Sequence, residues 1–325
     1  MAKKPLVTVI IPVFNGMPFL PETLDSVRNQ TLTHIEILIV DDGSTDGSLS
    51  YVESLNDERI TILKHQRKGL CETLNTAINS SQADLIARTD QDDISLPSRL
   101  ARQVDFLNHH RDIDCVFTNV VKFGRKCSLY NFDKGPLNNK FYKMFDPWID
   151  GNQVHSSILA RKHLLLRLGG YRKEFYPADD WDLALRMYGA CKVAILNEAL
   201  VRYRYHSSAN TLKHFSAMQE HRRWAEDCYL KRKLGMKESN YIDYRKEANK
   251  SIYKVLNRKR KDLSKLLTRK AGTGYLDSDY FSLIFYAILI FMIVPIKFSK
   301  RVFWFCLNNF RIFIGSGSAP TRAAC

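Results

Sequence analysis

The first apolar run is Leu6-Val7-Thr8-Val9-Ile10-Ile11, nearly unbroken, rich in β-branched residues and stopped by Pro12. Ile35-Glu36-Ile37-Leu38-Ile39-Val40 repeats the pattern and is stopped by Asp41-Asp42-Gly43. Apolar runs of this length with so little alternation predict strands buried on both faces, as in a parallel sheet. Between them Leu20, Leu24 and Val27 recur at helical spacing, and Pro21 suits a first helical turn. Ser44 or Asp46 is placed to cap a second helix through Leu55, followed by a strand at Ile60-Thr61-Ile62-Leu63. Leu70, Leu74, Ala77 and Ile78 then mark one helix face before the apolar run Leu85-Ile86-Ala87. Strands alternating with helices of about ten residues predict right-handed crossovers and a doubly wound α/β sheet.

The polar stops carry the chemistry. Ligands of such sheets bind beyond the carboxyl ends of the strands, and Asn15, Asp41-Asp42 and Asp90-Gln91-Asp92-Asp93 all fall there. Three carboxylates in four residues repel one another unless solvated or neutralised by a bound cation. The spacing alone fits either a divalent-metal site or a cap for the helix predicted to begin near Leu96-Pro97. Polar groups at the ends of three different strands favour a site, because each cap would be an independent coincidence. No G-x-G-x-x-G or G-x-x-x-x-G-K-[ST] follows the first strand, which argues against a dinucleotide fold or a P-loop. Phosphates here would be held through a metal.

Several ordered segments resemble the family-2 inverting glycosyltransferases of the GT-A fold. They are Val9-Ile10-Ile11-Pro12-Val13-Phe14-Asn15, Ile39-Val40-Asp41-Asp42-Gly43-Ser44-Thr45-Asp46, and Ile86-Ala87-Arg88-Thr89-Asp90-Gln91-Asp92-Asp93 followed by Pro97 and Arg99-Leu100. Gly169-Gly170-Tyr171 and Ala178-Asp179-Asp180-Trp181-Asp182-Leu183 are similar to the region around the family's catalytic acidic pair. The resemblance covers roughly residues 5–210 and implies a GT-A nucleotide-diphospho-sugar transferase with a doubly wound mixed sheet.

By that resemblance Pro12, Phe14, Asn15 and Asp42 hold the base and ribose of a nucleotide-diphosphate sugar. An aromatic ring stacks on a base and a carboxylate accepts from ribose hydroxyls. Phe14 stands where tyrosine is usual, and packing in the core is its alternative role. Asp90 and Asp92 match the family's Asp-x-Asp, the second coordinating a metal that bridges two phosphates. Hard oxygen ligands suit Mn²⁺ or Mg²⁺, and a cation there would stabilise a departing nucleoside diphosphate. Arg88 is placed either beside the diphosphate or in a salt bridge to Asp84 or another surface carboxylate. Asp179-Asp180 corresponds to a Glu-Asp pair whose second member is the general base, giving Asp180 that role. The alternative has Asp179 or Asp182 capping a helix from Trp181 to Tyr188 while Asp180 faces solvent. His206 matches a histidine that some relatives carry near the metal, or is an ordinary polar surface residue. His155-Ser156-Ser157, with Asp179 and Trp181, falls in the acceptor region, although strand-edge hydrogen bonding also explains the His-Ser-Ser segment.

Charge then divides the chain. Of a formal net +15, residues 1–200 hold 24 Lys and Arg against 25 Asp and Glu, and residues 201–325 hold 25 against 9. The expected organisation is a catalytic domain at 1–211, a basic helical extension at 212–275, and a hydrophobic membrane-associating segment and tail at 276–325. Arg258-Lys259-Arg260-Lys261 interleaved with Leu256, Leu263 and Leu266-Leu267 reads as a surface for anionic lipid, or as a solvated helix face. Tyr280–Ile296 follows with no formal charge, flanked by Lys297, Lys300 and Arg301 before Val302–Leu307. Its 17 residues are at the lower limit for a span and include Pro295, so a re-entrant or interfacial segment and a buried helical hairpin in a soluble dimer stand beside a true span. Flanking Lys and Arg predict the catalytic domain on the cytoplasmic face of the plasma membrane. Met1-Ala2-Lys3-Lys4 leads into a strand, with no signal-peptide pattern. Seven scattered cysteines without C-x-x-C suggest neither zinc nor disulfides, and Gly315-Ser316-Gly317-Ser318 looks like a flexible tail.

The expected activity is metal-dependent, inverting sugar transfer from a nucleotide-diphosphate donor to a lipid-linked saccharide acceptor in bacterial surface-polysaccharide synthesis. A nucleotidyltransferase is the competing enzyme, disfavoured because Pro12-Val13-Phe14-Asn15 is no glycine-rich, basic loop. A non-catalytic basic membrane-binding protein is the other alternative, and no nucleic-acid motif is present.

Overall fold

The computed structural model describes residues 4–124, 128–130, 141–151, 153–277 and 279–293. The described residues form two compact units. The first lies within Met1–Lys122, Tyr130–Arg204 and Glu220–Ser239, the second within Phe123–Leu129, Tyr205–Gln219 and Asn240–Cys325.

The first unit is an α/β mixed sheet. β1 (Val7–Val13) is buried along its whole length, as its apolar run requires, and lies between β2 (Ile35–Asp41) and β4 (Leu85–Arg88), parallel to both. β3 (Ile60–Lys64) extends the parallel set beyond β2. The first crossover is α1 (Leu20–Arg28), with Pro in its first turn and Leu20, Leu24 and Val27 buried against Val9, Ile11 and Ile37 in one core. Each such side chain contributes roughly 1.5–3 kcal/mol by leaving water. α2 (Ser48–Ser54) and α3 (Leu70–Ser80) complete the next two crossovers. α2 begins later than its sequence suggested. Its N-cap is Gly47 at φ +88°, while Asp46 accepts from the backbone N–H groups of Met17 and Ser48.

Beyond β4 the direction changes. β5 (Ile94–Ser95), α4 (Arg99–His109), β6 (Cys115–Phe123, whose last residue falls in the second unit), β7 (Ser128–Tyr130, of which only Tyr130 falls in the first unit), β8 (Tyr142–Met144) and α5 (Pro147–Asp150) lead to β9 (Leu159–Arg161), which is antiparallel to both β4 and β6. After α6 (Lys162–Arg167) and α7 (Asp179–Ala190), β10 (Val193–Arg204) runs antiparallel to β5 and β8. The order β3-β2-β1-β4-β9-β6-β10-β5 mixes both directions. The register pairs Val13 with Asp41 and Ile10 with Arg88. Residues 14–16, 42–46 and 89–93 therefore leave the sheet at one edge.

The second unit includes α8 (Asn210–Lys213), the start of α9 (Phe215–Lys233), α10 (Tyr241–Ala248), α11 (Ile252–Leu276) and α12 (Tyr280–Ile293). α9 from Glu220 onward belongs to the first unit. α11 turns into α12 at a close approach: a Cβ on Gly274 would stand 3.2 Å from the Asp279 carbonyl oxygen and the Leu283 nitrogen. Phe281, Ile284, Phe285, Ile288 and Met292 of α12 recur at helical spacing and are 49–82 % exposed. Lys254, Lys259, Arg260, Lys261 and Lys265 are exposed on α11. Among the described residues no helix is long and apolar enough to cross a membrane. The end of the Tyr280–Ile296 run, the flanking Lys297, Lys300 and Arg301, Val302–Leu307 and the Gly315–Ser318 segment lie outside the described residues.

Candidate active site

At the ends of β1 and β2, polar side chains are used to hold loops. Asn15 adopts φ +49°, a left-handed conformation that asparagine tolerates better than most residues. Its amide oxygen accepts from the Thr45 N–H at 2.8 Å, and its own N–H donates to Ser44 Oγ at 2.9 Å. Gln91 joins β1 to the acidic turn: its Oε1 accepts from the Phe14 N–H at 2.8 Å and its Nε2 donates to the Phe14 carbonyl at 3.1 Å. Pro12 is buried within β1, opposite Val40.

The two oxygens of the buried Asp42 carboxylate accept from the N–H groups of Lys68 (2.7 Å) and Gly69 (2.9 Å). That anchorage fixes the loop before α3, where Arg67 takes φ +52° and its guanidinium lies 4.9 Å from the Phe14 ring centroid. Phe14 is 40 % exposed, so it is a platform at the sheet edge, and core packing is excluded.

The turn after β4 is tied down from beneath. Arg99, fully buried, donates to the carbonyls of Arg88 (2.9 Å) and Ile158 (3.1 Å) and to the hydroxyls of Thr89 and Ser95 (2.9 Å each). Burial pulls its pKa down to about 9, with Asp93 and Asp90 opposing the fall. Asp93 is buried and accepts from Ser156 Oγ and from the Arg204 N–H. Burial, then Asp92 and Asp90, push its pKa well up. Neither Asp92 nor Asp93 caps α4, whose N-cap is Ser98. Arg88 is buried and donates from Nε to Asp90 at 2.7 Å. Asp84 instead pairs with Lys4.

The opposing carboxylates come from α7, which starts at Asp179, two residues before the expected start. Ahead of it Gly169 and Gly170 take φ +75° and +67°. A Cβ on Gly170 would overlap the Asn75 amide oxygen. Asn75 instead pairs with the Tyr171 backbone, accepting from its N–H and donating to its carbonyl at 2.8 Å each. Arg186 donates to the Leu168 and Gly170 carbonyls at 2.7 Å and to Asp182. Asp182 also pairs with Arg172, so it is an internal counter-ion and no cap. The N-cap is Ala178, and no side chain caps the helix.

Asp179 is buried, and burial, with Asp180 adding, pushes its carboxyl up to about 7. Asp180 is partly exposed and accepts from the Trp181 N–H at 2.6 Å. Trp181, expected beside an acceptor, is only 1 % exposed; its indole N–H donates to Glu226 at 3.2 Å. Its aromatic bulk anchors α7 instead of lining the site.

Arg88 joins the two sides. Beyond Asp90 it is felt electrostatically at Asp179, and its guanidinium lies 5.5 Å from the Tyr171 ring centroid. His155, on a 3-10 turn at His155–Ser157, is 4 % exposed, with Nδ1 3.2 Å from the Tyr171 hydroxyl. Burial lowers its pKa to about 4 although Asp180 opposes the fall. Thus Arg88, Asp90, Asp179, Asp180 and His155 form one cluster. His206 belongs to the second unit, where Nδ1 is 2.7 Å from Ser208 Oγ.

Among the described residues no group of three or more His, Cys, Asp or Glu side chains is gathered to hold a metal. Mg²⁺ and Mn²⁺ are commonly held by one or two carboxylates completed by phosphate oxygens and water. The hard oxygens of Asp90 and Asp92 fit that kind of site. Sequence reasoning missed Arg67, Asn75 and the Tyr171 side chain. Arg67 stood beside the glycine opening α3, a signal that was available; the other two act through contacts distant in sequence.

A family model described as glycosyl transferase family 2 matches residues 8–169. The EpsE protein of Bacillus subtilis is 30 % identical, with 66 % of this chain and 79 % of that protein covered. The O-antigen biosynthesis glycosyltransferase WbnJ of Escherichia coli is 27 % identical, with 63 % and 81 % covered. Among solved structures, S. aureus TarS (residues 1–349) in complex with UDP-GlcNAc superimposes with a TM-score of 0.54, 17 % identity and 83 % of each chain covered, a likeness of fold. With its acidic turn, its buried Asp179 and its sheet edge accounted for, the chain belongs to glycosyltransferase family 2.

Proposed function

We propose that this enzyme moves a sugar, with inversion, from a nucleotide-diphosphate donor to a hydroxyl of a lipid-linked saccharide in bacterial surface-polysaccharide synthesis. The observation that carries the reading is the cluster in which Arg88 joins Asp90, from the end of a parallel strand, to the carboxylates opening α7. TarS, named in complex with UDP-GlcNAc, and WbnJ, named for O-antigen biosynthesis, support the donor and product classes by analogy.

In this reading Phe14 and Arg67 enclose the base, and the loop anchored by Asp42 faces the ribose. Asp90 and Asp92 hold Mn²⁺ or Mg²⁺, which supplies positive charge for the diphosphate that leaves. Asp180 takes the proton of the acceptor hydroxyl. The Trp181 N–H holds one of its oxygens, and the N-terminus of α7 favours negative charge there. A base so placed contributes about 10²–10⁴-fold. The exposed apolar residues of α12 and the cations of α11 support contact with an anionic membrane surface on the cytoplasmic side. Failure to sediment with phosphatidylglycerol vesicles at low salt would remove that part.

The test is release of nucleoside diphosphate from UDP-, GDP- and dTDP-sugars by the full chain with Mn²⁺, Mg²⁺ or EDTA and membrane lipid extract as acceptor. Metal-dependent turnover of one donor is expected. Turnover that is equal with EDTA overturns the metal, and binding of no donor overturns the transferase reading.

A further inference from the structure

β4 and β9 pair along Leu85–Ala87, and the chain then runs into the acidic turn. The Arg88 N–H still reaches the Ile158 carbonyl at 3.4 Å. The Asp90 N–H is taken by a side chain instead: Ser156 Oγ accepts from it at 3.1 Å. The Ser156 hydroxyl has a single hydrogen, which it donates to the Asp93 carboxylate. Ser156 thus bonds to the first and the last residue of Asp90–Asp93.

Burial gives that link its stiffness. Ser156 is 0 % exposed and Asp93 1 %, whereas Asp90 and Asp92 are only half-buried. A backbone N–H and a buried carboxylate each cost free energy when left without a partner. One hydroxyl serves both and so joins them. Arg204, the last residue of β10, holds the same turn through its N–H to Asp93 at 2.9 Å and its Nε to the Asp92 carbonyl at 2.8 Å. Ser157, equally buried, behaves differently: its hydroxyl donates to the Val154 carbonyl at 2.7 Å, within its own segment. Two adjacent serines with the same burial therefore differ in whether they touch the acidic turn.

Groups behind a metal's carboxylate ligands orient those ligands, and losing one commonly costs 10–100-fold in metal affinity. We propose that Ser156 is a positioning residue for the metal: by tying the Asp90 backbone to Asp93 it sets how Asp90 and Asp92 present their carboxylates to a divalent cation held with a nucleoside diphosphate. This rests on the metal reading above. It assigns the middle of the His155–Ser157 turn to the donor side, whereas the sequence suggested the acceptor region. His155, the preceding residue, lies beside Tyr171 and the start of α7. Consecutive residues of one buried turn therefore bear on the acidic turn and on the helix that carries Asp180.

The experiment measures Mn²⁺ binding to the full chain by loss of the free-ion electron paramagnetic resonance signal, with UDP, GDP or dTDP present in turn. Calorimetric titration of the same diphosphates in EDTA runs beside it. Ser156→Ala should weaken Mn²⁺ about tenfold and leave the metal-free diphosphate affinity within about twofold. Ser157→Ala, which removes a buried hydroxyl without touching the acidic turn, should leave Mn²⁺ within about twofold. Ser156→Cys is close in size but a weak donor and acceptor, and it gives the same reading if the alanine variant does not fold. Mn²⁺ affinity unchanged in a folded Ser156 variant overturns the assignment, as does equal weakening in the Ser156 and Ser157 variants, and both leave the metal reading intact. If the natural chain binds no Mn²⁺ with any of the diphosphates, the metal reading falls and this inference falls with it.

Discussion

Asp42 at the end of β2 and Asp179 at the start of α7 are both buried carboxylates, yet their surroundings are opposite. Asp42 has each oxygen satisfied by a backbone N–H, and it holds a loop in place. Asp179 stands beside another carboxylate, is pushed up to about 7 by burial, and shares Arg88 with Asp90. The difference extends to their neighbourhoods. The β1–β2 edge is tied together by side-chain-to-backbone bonds, whereas the α7 side keeps buried charges that oppose one another. A preorganised edge suits binding, and stored electrostatic tension suits chemistry.

The two sides share a foundation, and breaking it gives the largest effect. Arg99→Leu strands the carbonyls of Arg88 and Ile158 and the hydroxyls of Thr89 and Ser95, and should cost about 3–5 kcal/mol. Urea unfolding checks this; a loss below about 1 kcal/mol would show that the turn does not depend on the arginine.

Confined to the α7 side, Gly170→Ala forces a side chain into a left-handed conformation and displaces Asn75 from Tyr171. A loss of about 2–3 kcal/mol is expected. Thermal unfolding of the variant measures it, and a Tm within about 1 °C of the natural chain contradicts the clamp.

A smaller, pH-dependent effect separates the two buried carboxylates. Between an unfolded value near 3.8 and about 7 the folded state keeps a proton on Asp179 that the unfolded chain has released. Stability from this group is thus complete below about 3.8 and is lost as pH rises through about 7. Asp179→Asn removes that loss, so the variant's Tm relative to the natural chain should rise from about pH 5 to about pH 8. His155, held down to about 4 from 6.5, acts in the opposite sense in part of this range, but it is present in both chains and cancels in the difference. A flat difference would place the Asp179 titration elsewhere.

The smallest effect is on the β1–β2 edge. Arg67→Ala removes an exposed cation over Phe14, worth about 0.5–1 kcal/mol, and should weaken nucleoside diphosphate about two- to fivefold in an affinity titration. No change would remove Arg67 from the base site.

The same contrast explains what the sequence made legible. Continuous apolar runs marked β1, β2 and β4, and their polar stops marked the edge, because a strand buried on both faces leaves a local signature. Within the α7 side, Asp179-Asp180 was readable by resemblance, but its partners were not. Arg88 bonds to Asp90 rather than Asp84, and Trp181 packs inward onto α9. Asn75 meets Tyr171 across 96 positions of chain. Such contacts follow from where the crossovers return, which residue spacing does not encode. Helix starts slipped for a related reason: Gly47 and Ala178 open their helices without a side-chain cap, while the capping candidates nearby were taken by other bonds.

The division of labour is tested most directly by measuring donor affinity and donor turnover in the same preparation of Asp180→Asn. The account predicts nucleotide-sugar affinity within about twofold of the natural chain and turnover reduced at least about 100-fold. Turnover near the natural rate would show that Asp180 is not the base, and lost donor affinity would show that binding and chemistry are not divided between the two sides.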